Sequence, residues 1–371
     1  MSKTLQDYAT LINDTIQSNE INHYITTDNM CQNLGGIDTF KNINIPQGKV
    51  RSFQKDDVLL SNIRLYFRKV YRAKQKGGCS SDVLVFRAKH IDSATLFAIL
   101  SSQIFTDYAC SGSQGSKMPR GNKTHMMNFK IPTINFTITK IFNSIQNKIE
   151  NNHKINELLH KILELLYEQY FVRFDFLDEN NKPYQTSGGK MKFSKELNRL
   201  IPNNFEVKTL GELTQLKVGN KNANHSSNQG KYPFFTCSNN PLRCETYQFE
   251  GKHIIISGNG NFYVTHYDGK FDAYQRTYVV NPNNLNHYVL IYLFVKSYTN
   301  YLKLQSRGSI IKFITKSDIE NIKIVLPNLK TYAKWNNVLK MIENNMQSTQ
   351  TLTALRDFLL PLLLKQQVKP Q

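Results

Sequence analysis

Two stretches of the chain are apolar at helical spacing, and the pattern along them is the same. From Ile138 one row recurs every seventh position through Ile145, Asn152, Leu159 and Leu166, and Ile141, Ile155 and Ile162 fill the row beside it. That period predicts a helix of about five heptads ending near Tyr170, with a coiled-coil seam; at ~1.5 Å per residue it is roughly 50 Å long. Moving the first row by 193 positions lands on Thr331, Val338, Asn345, Leu352 and Leu359, with Met341, Leu355 and Leu362 in the second. A second long helix is therefore expected. Asn152 and Asn345 hold equivalent seam positions, where a single polar residue costs stability and fixes register. The alternative is that each Asn sits at the solvent edge of a broad apolar stripe.

The match extends beyond the helices. Ile149-Glu150-Asn151-Asn152 reappears as Ile342-Glu343-Asn344-Asn345, and Gly115-Ser116 as Gly308-Ser309, both 193 positions on, while Ile131-Pro132 and Leu326-Pro327 are 195 apart. Such self-similarity predicts two copies of one unit, a mixed region followed by a long helix. In the first copy the runs 57–60 and 82–86 read as strands, 94–108 as one short helix and 110–122 as a polar loop rich in Gly and Ser. The second copy offers a strand at 253–256 and a helix at 288–301. Breakers such as Asn180-Asn181-Lys182-Pro183 and Ser187-Gly188-Gly189 make the stretch between the copies look like a linker. The expected fold is α+β: mixed domains at 1–136 and 203–328, long helices at 137–172 and 329–366, and a linker at 173–202.

Charge changes the picture. The chain carries 47 Lys and Arg against 28 Asp and Glu, a net +19, and such a field favours polyanions. The surplus is shared: 17 basic against 10 acidic residues over 1–136 and 15 against 8 over 200–330, or +7 in each. A chain rich in Asn, Ile and Lys also fits an A+T-rich genome, but codon bias alone would not give each copy the same surplus. The five cysteines form no C-x-x-C and no metal-ligand spacing, so reduced thiols in a cytoplasmic protein are expected, with no metal. No run approaches the ~18 apolar residues of a membrane span, and no apolar leader opens the sequence.

Catalytic signatures are missing. There is no G-x-x-x-x-G-K-[ST] loop, no H-E-x-x-H and no Asn/Asp-Pro-Pro-aromatic run of an adenine methyltransferase. Ser257-Gly258-Asn259-Gly260 fits a tight turn better than a nucleotide site, and Glu206 with Lys208 lacks the spaced Asp of a nuclease. What remains is recognition by side chains suited to phosphates and base edges. Arg64, Arg68, Lys69, Lys74 and Lys76 lie among aromatics, Lys117, Arg120 and Lys123 in the Gly/Ser loop, and Thr27 and Asn29 in the 24–33 loop. The second copy offers Lys217, Lys221, Asn259, Arg307 and Lys312. Taken singly, each is more often a solvated surface residue than a contact; the case rests on the clustering.

The central stretch and its surroundings closely resemble Type I restriction-modification DNA specificity (S) subunits. The resemblance rests on Phe174-Asp175-Phe176, Asn181-Lys182-Pro183-Tyr184, Ser187-Gly188-Gly189-Lys190-Met191 and 207–213 (VKTLGEL). It extends to 24–30, to 115–120, and to Gly308-Ser309 leading to 322–327, nearly the whole chain. It implies two target-recognition domains, each reading half of a split double-stranded DNA site, joined by two antiparallel coiled-coil helices that set the spacing. The helices would dock two adenine methyltransferase subunits, and restriction/translocase subunits would join them. No catalysis is then expected of this chain; S-adenosylmethionine, ATP and Mg belong to the partners. After Pro132 and Pro327 the family's Glu-Gln step is absent, which blurs where each helix starts. Antiparallel pairing would bring Asn152 and Asn345 to one level, where each satisfies the other. The rival readings are a specificity partner of a Type IIB fused methyltransferase-nuclease, a non-enzymatic coiled-coil scaffold, and a nuclease using Glu206 and Lys208.

Overall fold

The computed structural model describes residues 3–38, 43–131, 134–178, 180–227, 229–327 and 329–363. Pro132, the end of the expected second helix at 364–366 and the side chain of Thr331 lie outside them. The chain forms two compact units, 1–155 with 345–371, and 156–344. Each takes part of both long helices, Phe136–Tyr167 and Leu329–Leu363.

In the first unit the expected strands appear as Val58–Ser61 and Val83–Ala88. They pair antiparallel in a four-stranded sheet with Ala9–Ile12 and Val70–Arg72 on its edges. A second four-stranded sheet runs Thr15–Gln17, Lys49–Phe53, Gly77–Cys79, Tyr24–Ile25. The expected single helix at 94–108 is two, Ser93–Ser101 and Gln103–Ser111. Ser102 breaks it: its backbone is extended, and its hydroxyl accepts from Phe105 N at 3.2 Å to cap the second piece. Phe142 of the first long helix and Leu360 of the second enter one core with Leu84, Phe86, Phe97 and Phe105.

The second unit is built on a six-stranded sheet in the order Thr214–Val218, Thr277–Pro282, Phe249–Ser257, Val264–Ala273, Tyr232–Phe235, Leu242–Cys244. Helix Tyr288–Gln305 covers it, and Leu163, Leu339, Ile342 and Trp335 complete the core. The breaker-rich 173–202 stretch is not an open linker. It holds a hairpin of Met191–Ser194 with Arg199–Pro202 and a stack of Phe176 on Phe205 and Tyr184, 5.4 and 4.7 Å between centroids. Aromatic burial there outweighs the local turn formers.

The seam of the long helices falls one position away from the expected second row. Ile141, Ile155 and Ile162 are exposed, as are Met341 and Leu355. The residues just after that row are buried instead: Phe142, Ile149 and Leu163 on the first helix, Trp335, Ile342, Thr349 and Arg356 on the second. Both rows stand three or four residues from the Ile145–Asn152 row, so periodicity fits either; the packing partner selects one. Asn152 is buried, but its Nδ2 donates to Thr349 Oγ1 at 3.1 Å and not to Asn345, which stands half-buried one turn before Thr349. Within each unit the two helix segments run antiparallel: Gln146 meets Arg356 where Asn152 meets Thr349, and Asn156 Nδ2 reaches Ile342 O at 3.2 Å where Tyr170, just past the first helix, meets Trp335.

Each helix is fastened to its unit by a charge. Glu150 pairs with Lys74 at 3.1 Å, and Glu343 with Lys252 at 2.9 Å. Arg356, 1% exposed, donates to Asn33 O and Gln146 Oε1, each at 3.2 Å. Its charge is met by the neighbouring Asp357 at 2.9 Å.

His160, in the second unit, is held down to about 4 by burial and by the charges of Lys296 and His266, against the pull of Glu164. An unfolded histidine protonates near 6.5, so between about 6.5 and 4 the unfolded chain binds the extra proton. Stability is complete above ~6.5 and declines as pH falls toward 4. The lone Trp335 is buried in the same unit. Denaturant midpoints read by its fluorescence should therefore fall from pH 7 to pH 5. His160→Gln should remove on the order of 1 kcal/mol of that fall, allowing for the ring's partial exposure; an unchanged slope would exclude His160 as a source.

Candidate nucleic-acid interface

A hairpin closes each unit's exposed rim, and the two are built alike. In the first, Gln114 and Arg120 exchange two backbone hydrogen bonds of 2.9 Å. Gly121 N donates to Asn62 O at 3.1 Å and Arg64 N to Pro119 O at 2.9 Å, tying the hairpin to the turn after strand Val58–Ser61. In the second, Arg307 and Phe313 exchange bonds of 3.0 and 2.8 Å; Ile314 N donates to Gly258 O at 3.0 Å and Gly260 N to Lys312 O at 2.8 Å. The hairpin positions stand 193 apart throughout. Gly115 and Gly308 turn the chain at φ +97° and +98°, the left-handed region that glycine tolerates. Each hairpin leads into a capped short helix, Lys123–Met127 capped by Asn122 and Lys316–Glu320 capped by Thr315.

These frames collect part of the expected set. In the first unit Arg64, Lys117 and Arg120 meet at the hairpin. Arg64 reaches Lys117 O at 3.4 Å, Arg120 pairs with Asp82 at 3.0 Å, and Lys123 stands exposed at the start of the following helix. In the second unit Arg307, Lys312 and Asn259 meet in the same way. Arg307 is exposed and lies 3.2 Å from Asp318. Burial pushes the Asp318 carboxyl up, but hydrogen bonds from Thr315 and the charge of Arg307 hold it below its ordinary value. It therefore stays ionised as cap and counter-charge.

Other expected residues are bonded within the fold or stand apart from the hairpins. Asn29 is buried, its Oδ1 accepting from Thr26 N at 2.8 Å and its Nδ2 donating to Tyr24 O at 3.1 Å. Lys69 Nζ donates to the Thr27 carbonyl at 2.6 Å, and the Arg68 guanidinium to Ser101 O at 2.9 Å. Burial pushes Arg68 below its ordinary value, opposed by Asp357. Lys74 is engaged with Glu150 and Asn147 of the first long helix. Lys76 and Lys217 are exposed, the latter on edge strand Thr214–Val218, and Lys221 is half-buried in a bridge to Tyr274.

Sequence reasoning missed the apolar side chains of the hairpin tips. Ile310 is 94% and Ile311 61% exposed, and Met118 is 53% exposed on the other hairpin. Arg276 was missed too; with Asn259, Ile311 and Phe313 it lines a shallow depression beside the second hairpin. The 193-residue offset, which makes Met118 the counterpart of Ile311, is the signal that would have found the tips.

A cost difference follows from the two turns. A Cβ on Gly308 would run into the Ile311 carbonyl oxygen, whereas at Gly115 the nearest atom would lie 3.6 Å away. Gly115→Ala should cost about 1–2 kcal/mol for its φ alone, and Gly308→Ala about 1 kcal/mol or more beyond that. Unfolding midpoints of the two variants check the order; equal losses would contradict it.

Among known proteins, the family described as the Type I restriction modification DNA specificity domain matches residues 202–355. The chain is 37% identical over 128 residues to the Type I restriction enzyme EcoDI specificity subunit of Escherichia coli, covering 34% of this chain and 29% of that relative, so the likeness spans under a third of the relative's length. It is 24% identical over 300 residues to the MjaIX specificity subunit of Methanocaldococcus jannaschii, 72% of this chain and 67% of that one. Among solved structures, the S subunit of a Type I system from M. genitalium has the same fold, with a TM-score of 0.60 at 15% identity, covering 99% of this chain and 96% of that one.

Proposed function

We propose that the chain is a DNA specificity subunit of a Type I restriction-modification system, whose specificity domain matches residues 202–355, and that it reads a split DNA target. Each unit is assigned one half-site, met by the hairpin at 114–120 or 307–313 and its basic side chains. The observation that carries this reading is the duplicated frame: the same backbone hydrogen bonds hold a hairpin with a positive-φ glycine in both units. Backbone bonds fix such a frame whatever the side chains at its tip, and base-reading residues can differ on a constant support. Arg64, Lys117, Arg120, Arg307 and Lys312 suit phosphates and guanine edges, and Asn259 suits adenine. The chain would carry no catalysis itself. In the cytoplasm the long helices would seat two adenine methyltransferase subunits, joined by restriction/translocase subunits that bring S-adenosylmethionine, ATP and Mg. The exposed apolar row of Ile141, Ile155 and Ile162 supports a docking role for the first helix. No described helix is long and apolar enough to cross a membrane.

Two measurements test this. Replacing Arg64, Lys117 and Arg120 together by Ala should weaken DNA binding and flatten its salt dependence, by a slope of about one for each phosphate left unneutralised. An unchanged slope would remove the first hairpin from the interface. Mapping methylation in cells that co-express the chain with its methyltransferase reads the target directly. Exchanging 307–313 for the matching hairpin of a relative should alter one half of that target, and alteration of both halves would overturn the division of labour.

A further inference from the structure

Three side chains of metal-binding type converge at the sheet edge of the second unit, from elements far apart in sequence. His225 ends the turn Ala223–His225, Cys244 ends edge strand Leu242–Cys244, and Asp272 lies in strand Val264–Ala273. The sheet brings them together: Tyr232 pairs with Cys244, and Phe234 of the same strand with Asp272. Phe234 also meets the imidazole edge-on, centroids 5.5 Å apart. Ligand atoms of all three residues lie within 4.8 Å of one another, and His225 Nε2 is 3.3 Å from Asp272 Oδ2. Two N/O ligands at ~2.0–2.1 Å on a tetrahedral zinc stand roughly 3.3–3.4 Å apart. The imidazole and carboxylate are already at that spacing; only the sulfur needs to close in.

A second observation points the same way. Asp272 is 0% exposed. Its Oδ2 accepts from Thr246 Oγ1 at 2.6 Å, but Oδ1 has no hydrogen-bond partner among the described residues. A carboxylate in that position is costly unless a cation meets it. Arg243, beside Cys244 in sequence, directs its guanidinium to Gly230 O and Lys231 O at 2.9 and 3.0 Å. The basic side chain that the carboxylate faces is His225, and a buried thiol among the ligands favours a thiophilic metal.

We propose that His225, Cys244 and Asp272 bind one divalent ion of the zinc class, with solvent in the fourth position and the Thr246 hydroxyl left as a hydrogen-bond donor to the carboxylate. Binding displaces the Cys244 thiol proton to solvent. The partly exposed His225 ring provides the entry route. The ion would staple the loop that carries Lys221 and the edge strand to the sheet, a structural role that does not depend on the DNA reading.

The test uses the purified full chain after treatment with a chelator. Cobalt(II) should bind at one equivalent and give the near-ultraviolet thiolate-to-cobalt charge-transfer absorption, and zinc should displace it while raising the thermal midpoint. Cys244→Ser should abolish the band, and His225→Gln should weaken cobalt binding at least about tenfold. Absence of the band in the parent chain, or its persistence in Cys244→Ser, would overturn the site. If Cys244→Ser does not fold, His225→Gln decides, since undiminished cobalt affinity would overturn it equally.

Discussion

A lysine from the globular part meeting a glutamate of the helix that packs on it is the interaction from which each unit is organised. Glu150 and Glu343 are the same position of the repeated Ile-Glu-Asn-Asn, yet their partners come from different settings: Lys74 from a loop, Lys252 from within strand Phe249–Ser257. The glutamate meets its lysine beside the buried face, which the preceding isoleucine, Ile149 or Ile342, enters. Each glutamate has a second neighbour, Gln146 for Glu150 at 3.2 Å and His266 for Glu343 at 3.6 Å, so the lysine is one part of a small polar cluster. The row facing the core carries Phe142 and Leu360 in one unit and Leu163, Trp335 and Ile342 in the other, and the pair sits at its margin.

Much of the plan is legible in the sequence, because its signals are local or periodic. The strands at 57–60 and 82–86 and the helix beginning at Tyr288 carry their own patterns, and the repeat marks the Gly-Ser pair that turns out to lie in each hairpin. The failures share a cause. Periodicity says that a face is apolar but not which of two adjacent rows meets a partner, so it assigns Ile141, Ile155 and Ile162 to the seam that Phe142, Ile149 and Leu163 occupy. Symmetry pairs Asn152 with Asn345, whereas packing gives Asn152 to Thr349. Ser102 reads as a neutral helix residue, and only the folded chain shows its hydroxyl capping the next turn. Among the expected site residues, those on the hairpins stay together. Asn29, Arg68 and Lys69 instead hold backbone carbonyls and amides, a use that composition cannot distinguish from DNA contact.

The hairpins show how a constant support can carry variable contents. Their hydrogen bonds are between backbone atoms, and their turns need one glycine each. The side chains at the tips are free of that duty, and they differ: Lys117-Met118-Pro119-Arg120 in one, Ile310-Ile311-Lys312-Phe313 in the other. Exposed apolar residues at a tip cost some solubility, which an isolated surface has no reason to accept unless something covers or reads them.

The first unit is discontinuous, 1–155 completed by 345–371, and encloses a second unit that is continuous from 156 to 344. On the ribosome the enclosed unit therefore has its whole sequence first. The opening unit, though synthesised earlier, must wait for Thr349, Arg356 and Leu360 before its core and helix pairing can close. At roughly 5–20 residues per second that delay is about ten to forty seconds. During it Gln146, Phe142 and the carbonyl of Asn33 face solvent or a chaperone. Ending the chain before Thr349 would thus damage the unit begun by residues 1–155 while leaving 156–344 whole.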